Sequence, residues 1–361
     1  MRRAAALLLI TAAAACSSSP PAVVPPVGST AARISPPSST AAPSPIAAAP
    51  PTSEKPRATP TPTPTPAATG LVDVAALAPA LAAPPRTSTV ACNAPAPPKA
   101  VHLTVDGYAR TALTVAPTGH VRVPLVIALH GYDQQASYFA DYTHLLTAGP
   151  HVGAMVVVPQ GLGDPSGWNI PDSPEVGPSD VRFLTALITR LVQTTCADPD
   201  RVVLAGLSDG SDMAVTAACA LPDLVDGVLL VAASTGPSPS CHPQHVVQIH
   251  GTADPIDAYT GRPKDLRRGF GSVKAAGAER AFTLWSQLDG CPSHVVRTQR
   301  DLRAFVAQHC AHGSVLLIAV QGGGHTWPGA PLRPELGPTT TSLDTAQLLD
   351  LVLAAISLSP R

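Results

Sequence analysis

Six short apolar stretches, at 124–129, 154–158, 202–205, 228–233, 246–249 and 315–320, run almost unbroken by polar residues. A strand with one wet face alternates apolar and polar side chains. A strand that does not alternate is buried on both faces, as in parallel sheets covered by helices on each side. Between these stretches the period lengthens. Val181, Leu184, Leu187, Ile188, Leu191 and Val192 follow the three-four spacing of a helix with one buried face. Strands alternating with helices predict an α/β fold, a doubly wound, mostly parallel sheet within one domain. Ahead of it Val101, Leu103 and Val105 alternate with polar residues, Asp106-Gly107 is a turn signal, and 109–115 returns, which predicts a hairpin. A last helix is expected over about 341–356. In such sheets ligands sit beyond the carboxyl ends of the strands, so chemistry is expected in the loops that follow the apolar runs.

The composition changes near residue 90, and the chain is read as a leader over 1–16, a tether over 17–90 and one domain over 91–361. Met1-Arg2-Arg3, an apolar run and small residues ending at Cys16 have the layout of an export signal, too short to span a membrane. The small residues before Cys16 and the serines after it look like the lipobox of bacterial lipoproteins, although Ala13 departs from the usual Leu. Cys16 is therefore expected to be lipidated, which anchors the protein to the outer face of the cell membrane; simple cleavage would secrete it. The tether is rich in Pro, Ala, Ser and Thr and lacks the apolar surface to fold. In an extended polyproline form it would hold a domain on the order of 100 Å from its anchor.

Seven cysteines are odd in number, and setting Cys16 aside leaves six that can pair completely. Fifteen connectivities are open to six cysteines. The expected pairing is Cys92 with Cys196, Cys219 with Cys241, and Cys291 with Cys310. A formal net charge of -1 without a basic block gives no electrostatic footprint for nucleic acid. The chain is expected to be a monomer.

One loop after an apolar run reads Gly206-Leu207-Ser208-Asp209-Gly210 and leads into a helix-compatible stretch. A serine exposed on a sharp strand-to-helix turn needs glycines around it, and the amide that follows it faces any oxyanion formed at a bound carbonyl. Serine needs a base to take its proton, and the base needs an acid to orient it. Asp254 in His250-Gly251-Thr252-Ala253-Asp254 is the expected acid, with Asp257 its rival on the same loop. His325, at the end of Gly322-Gly323-Gly324, is the expected base. Leu129-His130-Gly131-Tyr132 supplies the second oxyanion loop, so the amides of Tyr132 and Asp209 are assigned, with Gly131 as the alternative to Tyr132. His130 itself is read as a turn histidine bonded to backbone. Asp209 is awkward, because its carboxylate opposes an oxyanion unless the side chain points away or pairs. No cofactor is expected: His-Glu-x-x-His and Cys-x-x-Cys are absent from the sequence, and His242 with His245 is a lone pair.

At these residues, and at Gly167-Trp168-Asn169, the helix start Asp180 to Leu184, and 322–329, the sequence resembles the secreted polyhydroxybutyrate depolymerase, feruloyl esterase and acetylxylan esterase group of α/β-hydrolases. The resemblance spans about 92–329. It implies the α/β-hydrolase fold, a serine esterase with Ser208, Asp254 and His325 as its triad, and an ester substrate, polymeric in some members. It also implies that Trp168 and Trp327 line the cleft and bind substrate, while Trp285 is read as core. The chain departs from the group at Ser211, where many members have Gly, and at Asp209, where many have a smaller or neutral residue. The competing expectation is a non-catalytic binding protein anchored to the cell envelope on the same scaffold, which gives no reason for a serine, an acid and a histidine in triad order.

Overall fold

In a computed structural model the chain is described over residues 70–81, 88–170, 177–261 and 277–358. The expected leader, with Cys16, and most of the expected tether lie outside these residues.

The alternating segment forms β1 (Ala100–Val105) and β2 (Tyr108–Val115), an antiparallel pair closed around Asp106-Gly107, where φ is 53° and 82°. Each apolar run then becomes a strand. β3 (Val123–Leu129) and β4 (Met155–Pro159) come first, followed by a two-strand ribbon of β5 (Leu162–Gly163) and β6 (Ser166–Gly167). Next are β7 (Ala197–Leu207), β8 (Gly227–Val231) and β9 (His245–Gly251), then a hairpin of β10 (Ser293–Gln299) and β11 (Leu302–Gln308), and finally β12 (Ser314–Val320). Ten strands make one sheet in the order β1-β2-β4-β3-β7-β8-β9-β12-β11-β10. Its inner six are parallel, and an antiparallel hairpin lies on each flank. The inner six are the six apolar runs of the sequence. β3 shows why they do not alternate: Val126 and Ala128 enter one core, and Leu125, Ile127 and Leu129 enter another on the opposite face.

Helices cover both faces. On one side lie α1 (Val74–Leu77), α2 (Ala136–Thr143) and α3 (Leu145–His151); α4 (Asp180–Thr194), α5 (Asp209–Ala220) and α6 (Ala278–Leu288) lie on the other, and α7 (Thr345–Ser357) returns to the first. α4 starts on a cap in which the Ser179 hydroxyl accepts from the Arg182 amide at 3.3 Å. It buries Leu184, Leu187, Ile188 and Leu191, the face that the spacing predicts. α7 begins later than expected because Asp344 and Gln347 form a capping box there. The architecture is the α/β-hydrolase arrangement of a large, mostly parallel sheet sandwiched by helices.

One expectation is corrected at the tether. Residues 70–81 do not belong to an unstructured linker: Val72, Leu77, Ala78 and Leu81 are buried in the core beside α7. The Val72 amide donates to the Ser342 carbonyl at 2.8 Å, and Gln347 Nε2 donates to the Val72 carbonyl at 3.0 Å. The apolar side chains are few, but α7 offers them a surface, and average composition does not register that. The six described cysteines form the three expected disulfides, Cys92–Cys196, Cys219–Cys241 and Cys291–Cys310.

Candidate active site

β7 ends in a turn at Ser208, whose backbone has φ 54° and ψ -122°, a conformation seldom tolerated outside glycine. The glycines around it are required by space. A Cβ on Gly206 would strike the Gly210 carbonyl, and one on Gly210 would strike the Leu129 carbonyl. The Ser208 amide donates to Val231 of β8 at 2.9 Å. Ser211 explains its own departure from the group: fully buried, its hydroxyl donates to the Gly206 carbonyl at 2.7 Å and accepts from the Val231 amide at 3.0 Å, so it stitches the turn to the neighbouring strand. Ser208 is half-buried, at the carboxyl end of the sheet and the N-terminus of α5.

Asp254 follows β9 at the same edge. Its Oδ1 accepts from the amides of Ile256 and Asp257, each at 2.8 Å, and its Oδ2 accepts from His325 Nδ1 at 2.8 Å. The rival Asp257 turns elsewhere and accepts from the Ser234 amide at 2.9 Å and from the Ser234 hydroxyl. His325 follows β12 and is placed by its backbone, its amide donating to the Leu336 carbonyl at 2.6 Å. Gly324 backs onto that same carbonyl so closely that no side chain would fit. Two of the three expected triad members are therefore joined. Among the described residues no hydrogen bond links Ser208 Oγ to the imidazole, although both lie at one rim of the sheet. His250 is a further buried neighbour, with Nε2 3.5 Å from Asp254 Oδ2 and 2.8 Å from the Asp257 carbonyl.

In the loop expected to supply the second oxyanion donor, the Gly131 amide donates to Gln134 Oε1 at 3.1 Å. His130 is fully buried and acts as the turn histidine its position predicts. Its Nε2 accepts from the Gly161 amide at 2.9 Å, which leaves the proton on Nδ1 to donate to the Gly131 carbonyl at 2.8 Å. Burial lowers its pKa, with the Gly131 carbonyl and Asp180 opposing, so the ring is a neutral tie. The concern over Asp209 resolves in the geometry: its Oδ2 accepts from the Trp168 amide at 3.1 Å.

The substrate-binding assignment of Trp168 and Trp327 is corrected. Trp168 is 2% exposed and Trp327 0%, so neither offers a face to a ligand. Trp327 donates Nε1–H to Thr345 Oγ1 at 3.0 Å and stands edge-on to Phe139, pinning the histidine loop to α7 and α2. Trp285 is core, as expected. Two features went unread in the sequence. Asp180 receives Arg110 at 2.5 Å and the Asn169 amide at 2.7 Å, which fixes the loop that carries Trp168. Asp212, one turn beyond Ser208, is bonded by the Thr235 hydroxyl; burial pushes its carboxyl up to about 7, with Asp257 and Asp209 adding to the rise. A carboxylate in a first helical turn reads as a dipole partner, which hides either role from sequence.

Residues 110–259 match a family model described as esterase PHB depolymerase. The chain is 30% identical over 253 residues to “Putative esterase NocK” of Nocardia uniformis subsp. tsuyamanensis, a match covering 62% of this chain and 72% of that protein. It is 27% identical over 223 residues to feruloyl esterase B of Piromyces equi, covering 58% of this chain and 40% of that protein. Among solved structures, an acetyl xylan esterase from Aspergillus awamori aligns at 14% identity and a TM-score of 0.47, over 65% of this chain and 96% of that one.

Proposed function

The chain belongs to the esterase PHB depolymerase family of carboxylic ester hydrolases, and from that premise we propose that it is an exported serine esterase working through an acyl-enzyme on Ser208. The observation that carries this reading is the Asp254–His325 hydrogen bond at 2.8 Å, at the same carboxyl edge of the parallel strands as the strained Ser208 turn. Because Asp254 accepts at Nδ1, that nitrogen holds the proton and Nε2 keeps a lone pair for the serine.

In the first half-reaction Ser208 Oγ attacks the ester carbonyl while its proton passes to His325 Nε2. The amides of Tyr132 and Asp209 receive the oxyanion. As the tetrahedral intermediate collapses, the bond from the carbonyl carbon to the alcohol oxygen breaks, and His325 returns the proton to the departing alcohol. Water then repeats the sequence on the acyl-enzyme and releases the acid. Asp254 stays ionised and holds the imidazolium, its own carboxylate fixed by two backbone amides.

The substrates proposed are carboxylic esters of the kinds its relatives' names record, hydroxyalkanoate polyesters or feruloyl and acetyl esters of polysaccharide. Three disulfides fit an oxidising compartment and leave Cys16 as the odd cysteine of seven, which supports export and a lipid anchor at that residue. The division into a leader over 1–16, a tether that ends before the folded segment at 70, and one catalytic domain is part of the same proposal.

The full chain assayed on a short-chain chromogenic ester should turn over. Ser208→Ala and His325→Ala should each remove on the order of a million-fold in kcat. Wild-type protein as inactive as the two variants would overturn the reading in favour of a binding role, and undiminished activity in both variants would move the site elsewhere.

A further inference from the structure

We infer that Trp168 is a positioning residue whose two N–H groups hold the two amide-bearing loops of the oxyanion site at a fixed separation, an inference that rests on Ser208 being the nucleophile. The backbone N–H of Trp168 donates to Asp209 Oδ2 at 3.1 Å, and Asp209 is the residue after the serine. The indole Nε1–H donates to the His130 carbonyl at 2.8 Å, two residues before Tyr132. One buried residue thus ties the start of α5 to the loop after β3.

The tie is itself anchored. The Trp168 ring lies against the His130 ring with centroids 4.9 Å apart. Gly167 faces both the Tyr132 ring and the Asp209 carboxylate, at 3.2 and 3.3 Å from where its Cβ would stand. On one side Ser166 accepts the Asp133 amide at 2.7 Å and donates its hydroxyl to the Gln134 carbonyl at 2.7 Å. On the other, the Asn169 amide is held by Asp180, itself paired with Arg110. The 166–169 loop is therefore fastened to the second oxyanion loop and to the body of the protein, and Trp168 carries that rigidity across to Asp209.

The arrangement gives the unusual Asp209 a purpose. A free carboxylate beside the nucleophile would oppose a developing oxyanion, whereas one committed to the Trp168 amide is aimed at a fixed donor and braces its own backbone N–H. Oxyanion stabilisation depends on donors set in place before charge develops, and misplacement of a catalytic contact by about 1 Å can cost on the order of 100-fold.

The test uses the full chain, a short-chain chromogenic ester, and Trp168→Phe and Asp209→Ala singly and together, with Ser208→Ala beside them. Trp168→Phe removes the indole donor and keeps a smaller aromatic ring in its place. Each single change should lower kcat by about 10- to 100-fold with KM within a few-fold of wild type. The two bonds act in series, so the double variant should lose no more than the worse single one. Thermal transitions separate loosened packing from misplaced amides; should Trp168→Phe fail to fold, Asp209→Ala carries the test alone. Unchanged kcat, losses that multiply, an effect confined to KM, or a rise in kcat on removing the Asp209 charge would each overturn the brace. A dead Ser208→Ala with undiminished kcat in the brace variants sinks the brace alone; an active Ser208→Ala sinks the nucleophile assignment and the brace with it.

Discussion

Two aspartates three residues apart on one loop differ in everything but composition. Asp254 receives two backbone amides on one oxygen and His325 on the other, whereas Asp257 turns to Ser234. A carboxylate held by amides cannot swing to follow the ring, so the imidazole inherits its orientation. Asp254→Asn keeps the size but presents an acceptor of lower charge and favours the wrong histidine tautomer, so kcat should fall by on the order of 10,000-fold. Asp257→Asn should keep kcat within about tenfold, because the amide it contributes to Asp254 belongs to the backbone. Steady-state kinetics on the two variants checks this, and a larger loss at 257 than at 254 would reverse the assignment. The sequence favours Asp254 through its place just past the strand, and the hydrogen bonds give that place a cause. The tryptophans show the opposite case. An aromatic residue on a catalytic loop has the same local sequence whether it faces a substrate or fastens the loop, and only burial tells them apart: Trp327 is enclosed by Phe139 and α7.

At the scale of elements, legibility followed burial. The six inner strands announce themselves because both faces enter a core, so each is a run of apolar residues. α4 is equally plain, since only one stripe of it is buried. The β10–β11 hairpin has no such signal: from Ser293 to Thr298 every residue of β10 is exposed, so burial imposes no period on the edge strand. The fold around 70–81 was hidden for another reason, because its apolar residues meet partners more than 200 positions away in α7. That segment should behave as part of the domain. Leu77, 1% exposed in the core, loses contacts and leaves a cavity when replaced by Ala, at a cost of about 2–5 kcal/mol. Urea denaturation of Leu77→Ala should show that loss while kcat at temperatures below the transition stays near wild type; a midpoint equal to wild type would return the segment to the tether.

Taken as a whole molecule, the protein has two carboxyls among the described residues, Asp289 and Asp212, that burial pushes up to about 7. Asp289 is the simpler of the pair: it is fully buried, Oδ1 accepts the Gln244 amide at 3.0 Å, and Oδ2 has no partner among the described residues. Its ordinary value is 3.8, so between about pH 4 and 7 the folded protein holds a proton that the unfolded chain has released. Stability from this source is present in full below the lower value and is lost as pH rises through the upper one. Asp212 adds to it with the same sign. Asp289→Asn keeps a neutral side chain at every pH, so it should flatten the fall. In urea titrations the wild type should lose stability from pH 5 to pH 8, and the variant should lose about 2–3 kcal/mol less. Equal losses in the two proteins would mean that Asp289 ionises inside the fold without penalty, and the proton would then have to be sought at Asp212. The location matters, because Asp289 lies by the amino ends of β9 and β12, where Gln244 and Gly313 meet it, while Asp212 is one turn from Ser208. A pH effect on stability with kcat unmoved belongs to the first, and one that moves both belongs to the second.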